Sequence, residues 1–148
     1  MTNQPTLPLT GAANAFKLFI FDTGILSSQL NLDFHLVMDQ NQSAYKGFIA
    51  EYYVAQQLQP VSHKVVFSYA RAMSEIEFLL PWRGNVVPLE VKSGMRTKAK
   101  SLAEYKKKYA PPLAIKLSPN NMRLGTGHLN APIHLAGQLP QIIDAVLG

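Results

Sequence analysis

Residues 74–92 read Ser-Glu-Ile-Glu-Phe-Leu-Leu-Pro-Trp-Arg-Gly-Asn-Val-Val-Pro-Leu-Glu-Val-Lys, two alternating arms around a turn-forming centre. Alternation at a period of two selects strands, and Gly84 between apolar arms selects a tight hairpin. Any fold open to this chain must therefore grow a sheet around that pair. Glu75, Glu77 and Leu79 fall on one face of the first arm, and Glu90 and Lys92 on one face of the second. A two-residue turn at Arg83-Gly84 sets position 77 opposite 90, and one at Gly84-Asn85 sets it opposite 92. Both put Glu77 on the face of Glu90 and Lys92. A three-residue turn without a bulge would send it to the other face, opposite Val91. Two carboxylates about 4 Å apart repel by roughly 4 kcal/mol at an effective dielectric near 20, so a cation is expected between them. Pro88 cannot donate to a ladder and calls for a bulge or an edge position, and a bulge would also re-aim Glu90.

The segments on either side supply the remaining layers. Residues 1–15 are rich in Thr, Asn, Pro and Gly and read as a flexible lead-in to a single domain over 16–148. Phe16 to Phe21 is a strand or extended segment running into a turn at Asp22-Thr23-Gly24, with Asp22 as a turn or cap residue. One or two helical turns follow over Ile25 to Leu32. A helix from an N-cap at Ser43 to about Gln59, stopped by Pro60, carries Tyr45, Phe48, Ile49 and Tyr52 as its core stripe, with Glu51 at the stripe's edge. Lys64 to Tyr69 reads as a strand. Ser101-Leu102-Ala103-Glu104 has capping-box spacing and opens a helix ending near Tyr109 before Pro111-Pro112. Leu113 to Leu117 reads as a strand, Asn120 to Asn130 as loop, and Gln138 to Leu147 as a closing helix.

Charge is distributed unevenly. Between Lys92 and Arg123 nine basic residues face the single acid Glu104, a local charge of +8, while the remainder of the chain carries −3. Such asymmetry fits a side that meets a polyanion, nucleic acid first, with Arg96, Lys98, Lys100, Lys106 and Lys107 as the contacting residues. For Lys106-Lys107-Lys108 alone a solvated helix face is the simpler reading. With no cysteine, disulfides, thiolate zinc sites and cysteine nucleophiles are excluded. No apolar run approaches membrane-spanning length and no signal-peptide start is visible, so a soluble cytoplasmic protein with no membrane partner is expected. His35, His63, His128 and His134 lack zinc spacing, and Ser93 and Ser101 lack a base partner. Trp82 and Arg83 at the hairpin tip could stack on a base, although an aromatic packed against its own turn is the commoner arrangement.

The order helix, three strands, helix, strand, with carboxylates on the first helix and on strands two and three, resembles the PD-(D/E)xK nuclease superfamily with its restriction-endonuclease-like fold. More narrowly, Lys17-Leu18-Phe19-Ile20-Phe21-Asp22-Thr23-Gly24-Ile25-Leu26, Gly47-Phe48-Ile49-Ala50-Glu51, Ser74-Glu75-Ile76-Glu77-Phe78 and Val87-Pro88-Leu89-Glu90-Val91-Lys92-Ser93-Gly94 resemble the uncharacterised C-terminal domain of a prokaryotic AAA-type ATPase family. The resemblance implies an α/β fold with a mixed, mostly antiparallel central sheet flanked by helices. It makes Glu51 the helix carboxylate, Glu77 the position usually held by aspartate, and Glu90 with Lys92 the (D/E)xK pair. Glutamate at 77 departs from the family, since its extra methylene moves the carboxylate. Nothing in the chain matches a phosphate-binding Gly-x-x-x-x-Gly-Lys-Ser/Thr loop, so an ATPase module, in the same or another chain, is an expected partner rather than part of this domain.

The expected chemistry is metal-dependent phosphodiester hydrolysis on DNA. Glu51, Glu77 and Glu90 offer hard oxygen ligands suited to Mg²⁺ or Mn²⁺, and Lys92 would orient the nucleophile or offset developing charge. The alternative from another class is a catalytically inactive nuclease-like module that binds nucleic acid or protein. Without the family pattern, the same residues would read as an ordinary ion-pair cluster.

Overall fold

A computed structural model describes residues 17–33, 35, 43–62, 67–71, 74–94 and 99–148. The expected lead-in over 1–15, His63, the first part of the expected strand at 64–66, and the basic residues Arg96 and Lys98 lie outside the described residues, as does the side chain of Tyr45.

The hairpin forms with a two-residue turn at Arg83-Gly84, one of the two registers open to it. β2 (Ser74–Trp82) and β3 (Asn85–Val91) pair antiparallel from Trp82–Asn85 to Phe78–Leu89, the Arg83-Gly84 register, with Glu77 and Glu90 the next residues on each strand. Both turn residues have positive φ, 41° at Arg83 and 80° at Gly84, the requirement of the mirror-image turn whose twist matches a hairpin. β1 (Phe67–Arg71) pairs antiparallel on the other side of β2, and β4 (Ala114–Ser118) joins β3 in parallel.

The expected Asn120–Asn130 loop is instead a second hairpin. β5 (Arg123–Gly125) turns through Thr126-Gly127 into β6 (His128–Pro132), with Gly127 at φ 59°, and β6 pairs parallel with β4. The result is a six-stranded mixed sheet in the order β1-β2-β3-β4-β6-β5.

Helices cover both faces. α1 (Thr23–Gln29) is capped by Asp22, whose Oδ1 accepts from the Ile25 N–H at 2.9 Å, the cap role expected for it. α2 (Ser43–Ser62) runs past Pro60, which falls in the last turn, where the missing N–H removes only one ladder bond. Its core stripe differs from the expected aromatic one: Ala50, Val54, Ala55 and Leu58 are buried against Phe78, Leu80, Val87, Leu89 and Val91, whereas Phe48 is exposed and Ile49 and Tyr52 are half-buried. The small alanines allow close approach to the sheet. Tyr52 instead holds the extended segment 17–20, its hydroxyl donating to the Leu18 carbonyl at 3.0 Å and its ring meeting Phe19 edge-on at 5.1 Å.

α3 (Lys100–Tyr109) covers the opposite face, with Leu102, Tyr105 and Tyr109 packed on Ile76, Leu79, Val86 and Ala114. The expected capping box does not form: the helix begins at Lys100 after Ala99, so Ser101 is already inside it and gives no cap bond. A 3-10 helix (Ile133–Gln138) leads into α4 (Leu139–Leu147), whose Leu139 and Ile143 close the first cluster. No described helix is long and apolar enough to cross a membrane.

Pro88 needs neither the expected bulge nor an edge. β3 is an interior strand and its register with β2 runs unbroken. Counting outward from the closing pair, Leu79–Pro88 is a non-hydrogen-bonded pair, so the proline nitrogen points to the β4 side, one residue before that ladder starts at Leu89–Ile115. The bulge is in β2 itself. Phe67 pairs with Leu79 but Tyr69 with Ile76, so three steps on β2 oppose two on β1 across the stretch holding Glu77. This explains why Ile76 and Leu79 pack in one cluster, which strict alternation would have divided between faces.

Candidate active site

Glu77 and Glu90 are buried, 8% and 1% exposed, each one residue beyond the last pair of the central hairpin, Phe78–Leu89. Lys92 follows β3 directly, and its backbone N–H continues the ladder by donating to the Leu117 carbonyl at 2.8 Å. That anchor returns its ammonium to the carboxylates: Nζ is 2.7 Å from Glu90 Oε1 and 3.7 Å from Glu77 Oε1. The cation expected between the two glutamates is thus Lys92. Glu77 Oε2 accepts from the Val91 N–H at 3.3 Å, while Glu90 Oε2 is buried with no hydrogen-bond partner among the described residues. An unsatisfied buried carboxylate oxygen is costly, by roughly 1–3 kcal/mol or more for a charged group.

Burial sets the proton affinities. It pushes the Glu77 carboxyl up to about 7; backbone hydrogen bonding and the Lys92 charge pull it down, and the charges of Glu90 and Glu51 push it up again. For Lys92 burial acts downward, but the hydrogen bond to Glu90 and the charges of Glu77, Glu90 and Glu51 outweigh it, leaving the ammonium above its ordinary value.

Glu51 is near enough for its charge to act on both, yet it is held elsewhere. Lys17, from the extended segment, reaches Glu51 Oε2 at 3.3 Å and also pairs with Glu75. Two lysine-bridged glutamate pairs therefore stand side by side, one interior and one near the surface. Sequence reasoning missed Lys17, because nothing local to residues 16–21 says that Tyr52 and Phe78 will hold that segment against α2 and the sheet. α2 comes close to the end of β3 at Gly47, where an added Cβ would lie 3.9 Å from Ser93 Oγ.

The profile of one protein family, described as Domain of unknown function (DUF4143), matches residues 46–136, more than half of the chain. The chain belongs to the DUF4143 family. The DUF4143 match starts in α2 and ends in the 3-10 helix, so it contains Glu51, Glu77, Glu90 and Lys92, while Lys17 and Asp144 fall outside it. No curated protein and no solved structure matches the chain.

As a metal centre the site fits in donor chemistry and not in ready-made arrangement. Two buried carboxylates, one with an uncommitted oxygen, suit a hard divalent cation. Among the described residues, however, no group of three or more His, Asp and Glu side chains is placed to hold a metal ion, since Glu51 is turned to Lys17. Of the expected nucleic-acid contacts, Lys100, Lys106 and Lys107 lie on α3, with Lys100 and Lys107 exposed and Lys106 half-buried. Lys106, Lys107 and Lys108 occupy the helix's last turn, where the dipole favours cations. Trp82 and Arg83 are committed to α4: Trp82 Nε1 donates to Asp144 Oδ1 at 2.8 Å, and Arg83 pairs with the same carboxylate at 3.4 Å while stacking over the indole.

Proposed function

We infer that this DUF4143 domain is a metal-dependent phosphodiesterase acting on nucleic acid, DNA first, with a restriction-endonuclease-like core formed by α2, the three strands β1 to β3, α3 and β4. The observation that carries this reading is Glu90: a fully buried carboxylate with a free oxygen, beside Glu77 and bridged by Lys92. A fold that needed only an ion pair would gain nothing from leaving that oxygen unsatisfied.

Glu77 and Glu90 would hold the Mg²⁺ or Mn²⁺ ion, with Glu51 joining after exchanging its Lys17 partner. When bound, the ion supplies Lewis acidity and a water of lowered pKa. In the metal-free site the Glu77 carboxyl is raised to about 7 by burial, and a bound cation would hold it ionised as a ligand. Lys92 offsets charge developing on the phosphate oxygens. An AAA-type ATPase module, in the same or another chain, is the proposed working partner.

Calorimetry with Mn²⁺ and a plasmid-nicking assay test this. Glu77→Ala and Glu90→Ala are expected to abolish Mn²⁺ binding, and Lys92→Ala to retain it and lose nicking. A second reading, an inactive module that binds nucleic acid, draws on the lack of a three-carboxylate arrangement among the described residues. It requires a wild-type protein that binds no divalent ion at millimolar concentration and cuts neither single- nor double-stranded substrates.

A further inference from the structure

The row of positions through Glu77 and Glu90 does not stop at the hairpin. Glu90 pairs in register with Lys116 on β4, Lys116 with Asn130 on β6, and Asn130 with Arg123 on β5. In-register partners share a face of a sheet, and adjacent strands are about 4.8 Å apart. The side chains change along the row from acidic to basic as it crosses the sheet. The apolar partners Leu89, Ile115 and Leu129 lie together in the α2-side core, which leaves this row on the α3 side.

At its basic end a cleft of about 360 Å³ opens, lined among others by Lys116, Asn120, Asn121, Arg123, His128 and Asn130. Its wall is built rather than loose. Asn130 is buried; its Oδ1 accepts from the buried Ser118 hydroxyl at 2.7 Å, and its Nδ2 donates to the carbonyls of Asn120 and Asn121 at 3.3 and 2.9 Å. The 120–121 segment is thereby fixed beside Arg123. Burial lowers the His128 pKa, and the charges of Lys106 on α3 and Lys116 on β4 lower it further, so three basic groups from three elements act on one space. Among the described residues that line the cleft, none is acidic.

We propose that this cleft binds the phosphodiester backbone of a nucleic-acid single strand, holding phosphates next to the one presented to Glu77 and Glu90. The row sets the direction of the strand: across the sheet from β3 to β5, with Lys116 nearest the carboxylates and Arg123 farthest. The cleft's three strands span two such spacings, about 10 Å, enough for more than one phosphate of an extended strand. The direction of the track rests on the nuclease reading above; the binding itself does not.

Fluorescence anisotropy with a short labelled single-stranded oligodeoxynucleotide, in EDTA so that no cleavage occurs, tests the binding. Arg123→Ala combined with Lys116→Gln is expected to weaken affinity several-fold and to flatten the plot of log affinity against log salt by about 0.7 for each lost phosphate contact. Arg83→Ala, which removes one charge at the hairpin tip, is expected to leave the slope unchanged. Arg123 is exposed on the short β5, so Arg123→Ala alone gives a reading if the Lys116 change impairs folding. Wild-type slope and affinity in Arg123→Ala, or an equal loss in Arg83→Ala, would overturn the proposal. Failure of the wild-type protein to bind Mn²⁺ or to nick DNA in the assays above would overturn the nuclease reading and leave this binding result as it stands.

Discussion

The same device, one lysine between two glutamates, occurs twice in this molecule with opposite surroundings. Lys92 bridges Glu77 and Glu90, whose side chains are 10% and 2% exposed; Lys17 bridges Glu51 and Glu75, whose side chains are 29% and 50% exposed. Water screens the outer cluster, where an exposed pair contributes about 0–1 kcal/mol. The inner cluster lacks that screening, and there a carboxyl is moved to about 7 and an oxygen has no partner among the described residues. The proposed chemistry therefore rests on the inner pair, while Lys17 of the outer pair ties the 17–20 segment to Glu51 and Glu75.

The largest effect is expected from Lys92→Ala. Removing one partner of a buried pair costs roughly 3–5 kcal/mol, and the partial exposure of Lys92 together with protonation of Glu77 should reduce this to about 2–4 kcal/mol, read by urea unfolding at pH 8. Next comes pH. Because the folded carboxyl of Glu77 titrates near 7 and an ordinary one near 4.5, the folded state holds the extra proton between these values. Stability should then fall as pH rises from about 4.5 to about 7, by up to roughly 3 kcal/mol, and Glu77→Gln should flatten that part of the profile. Asp144→Ala, which deprives Trp82 Nε1 of its acceptor, should cost about 1 kcal/mol by thermal unfolding. Lys17→Ala should cost least, under about 1 kcal/mol, and the difference should shrink at high salt. A Lys17→Ala loss as large as that of Lys92→Ala would erase the contrast between the clusters.

The inner site was legible because its determinants are local. Alternation and a two-residue turn, at Arg83-Gly84 or at Gly84-Asn85, are enough to put Glu77 on the face of Glu90 and Lys92, and Lys92 is two residues from its partner. What failed depended on distant partners. The bulge beside Glu77 is a mismatch with β1, invisible within β2 alone. β6 reads His-Leu-Asn-Ala-Pro, with no β-branched residue, and owes its strand state to parallel pairing with β4. Tyr52 of α2 looked like core because of its spacing, yet it holds the 17–20 segment, and two alanines pack on the sheet. Ser101 and Glu104 had capping spacing, but the helix begins two residues earlier than that motif requires.

The most direct measurement is anomalous scattering from a crystal soaked in Mn²⁺. The account predicts a manganese peak at the Glu77 and Glu90 carboxylates, with Glu90 Oε2 among its ligands and the Lys92 ammonium displaced from Glu90. Manganese absent from these carboxylates at millimolar concentration, with Lys92 still bridging them, would contradict it.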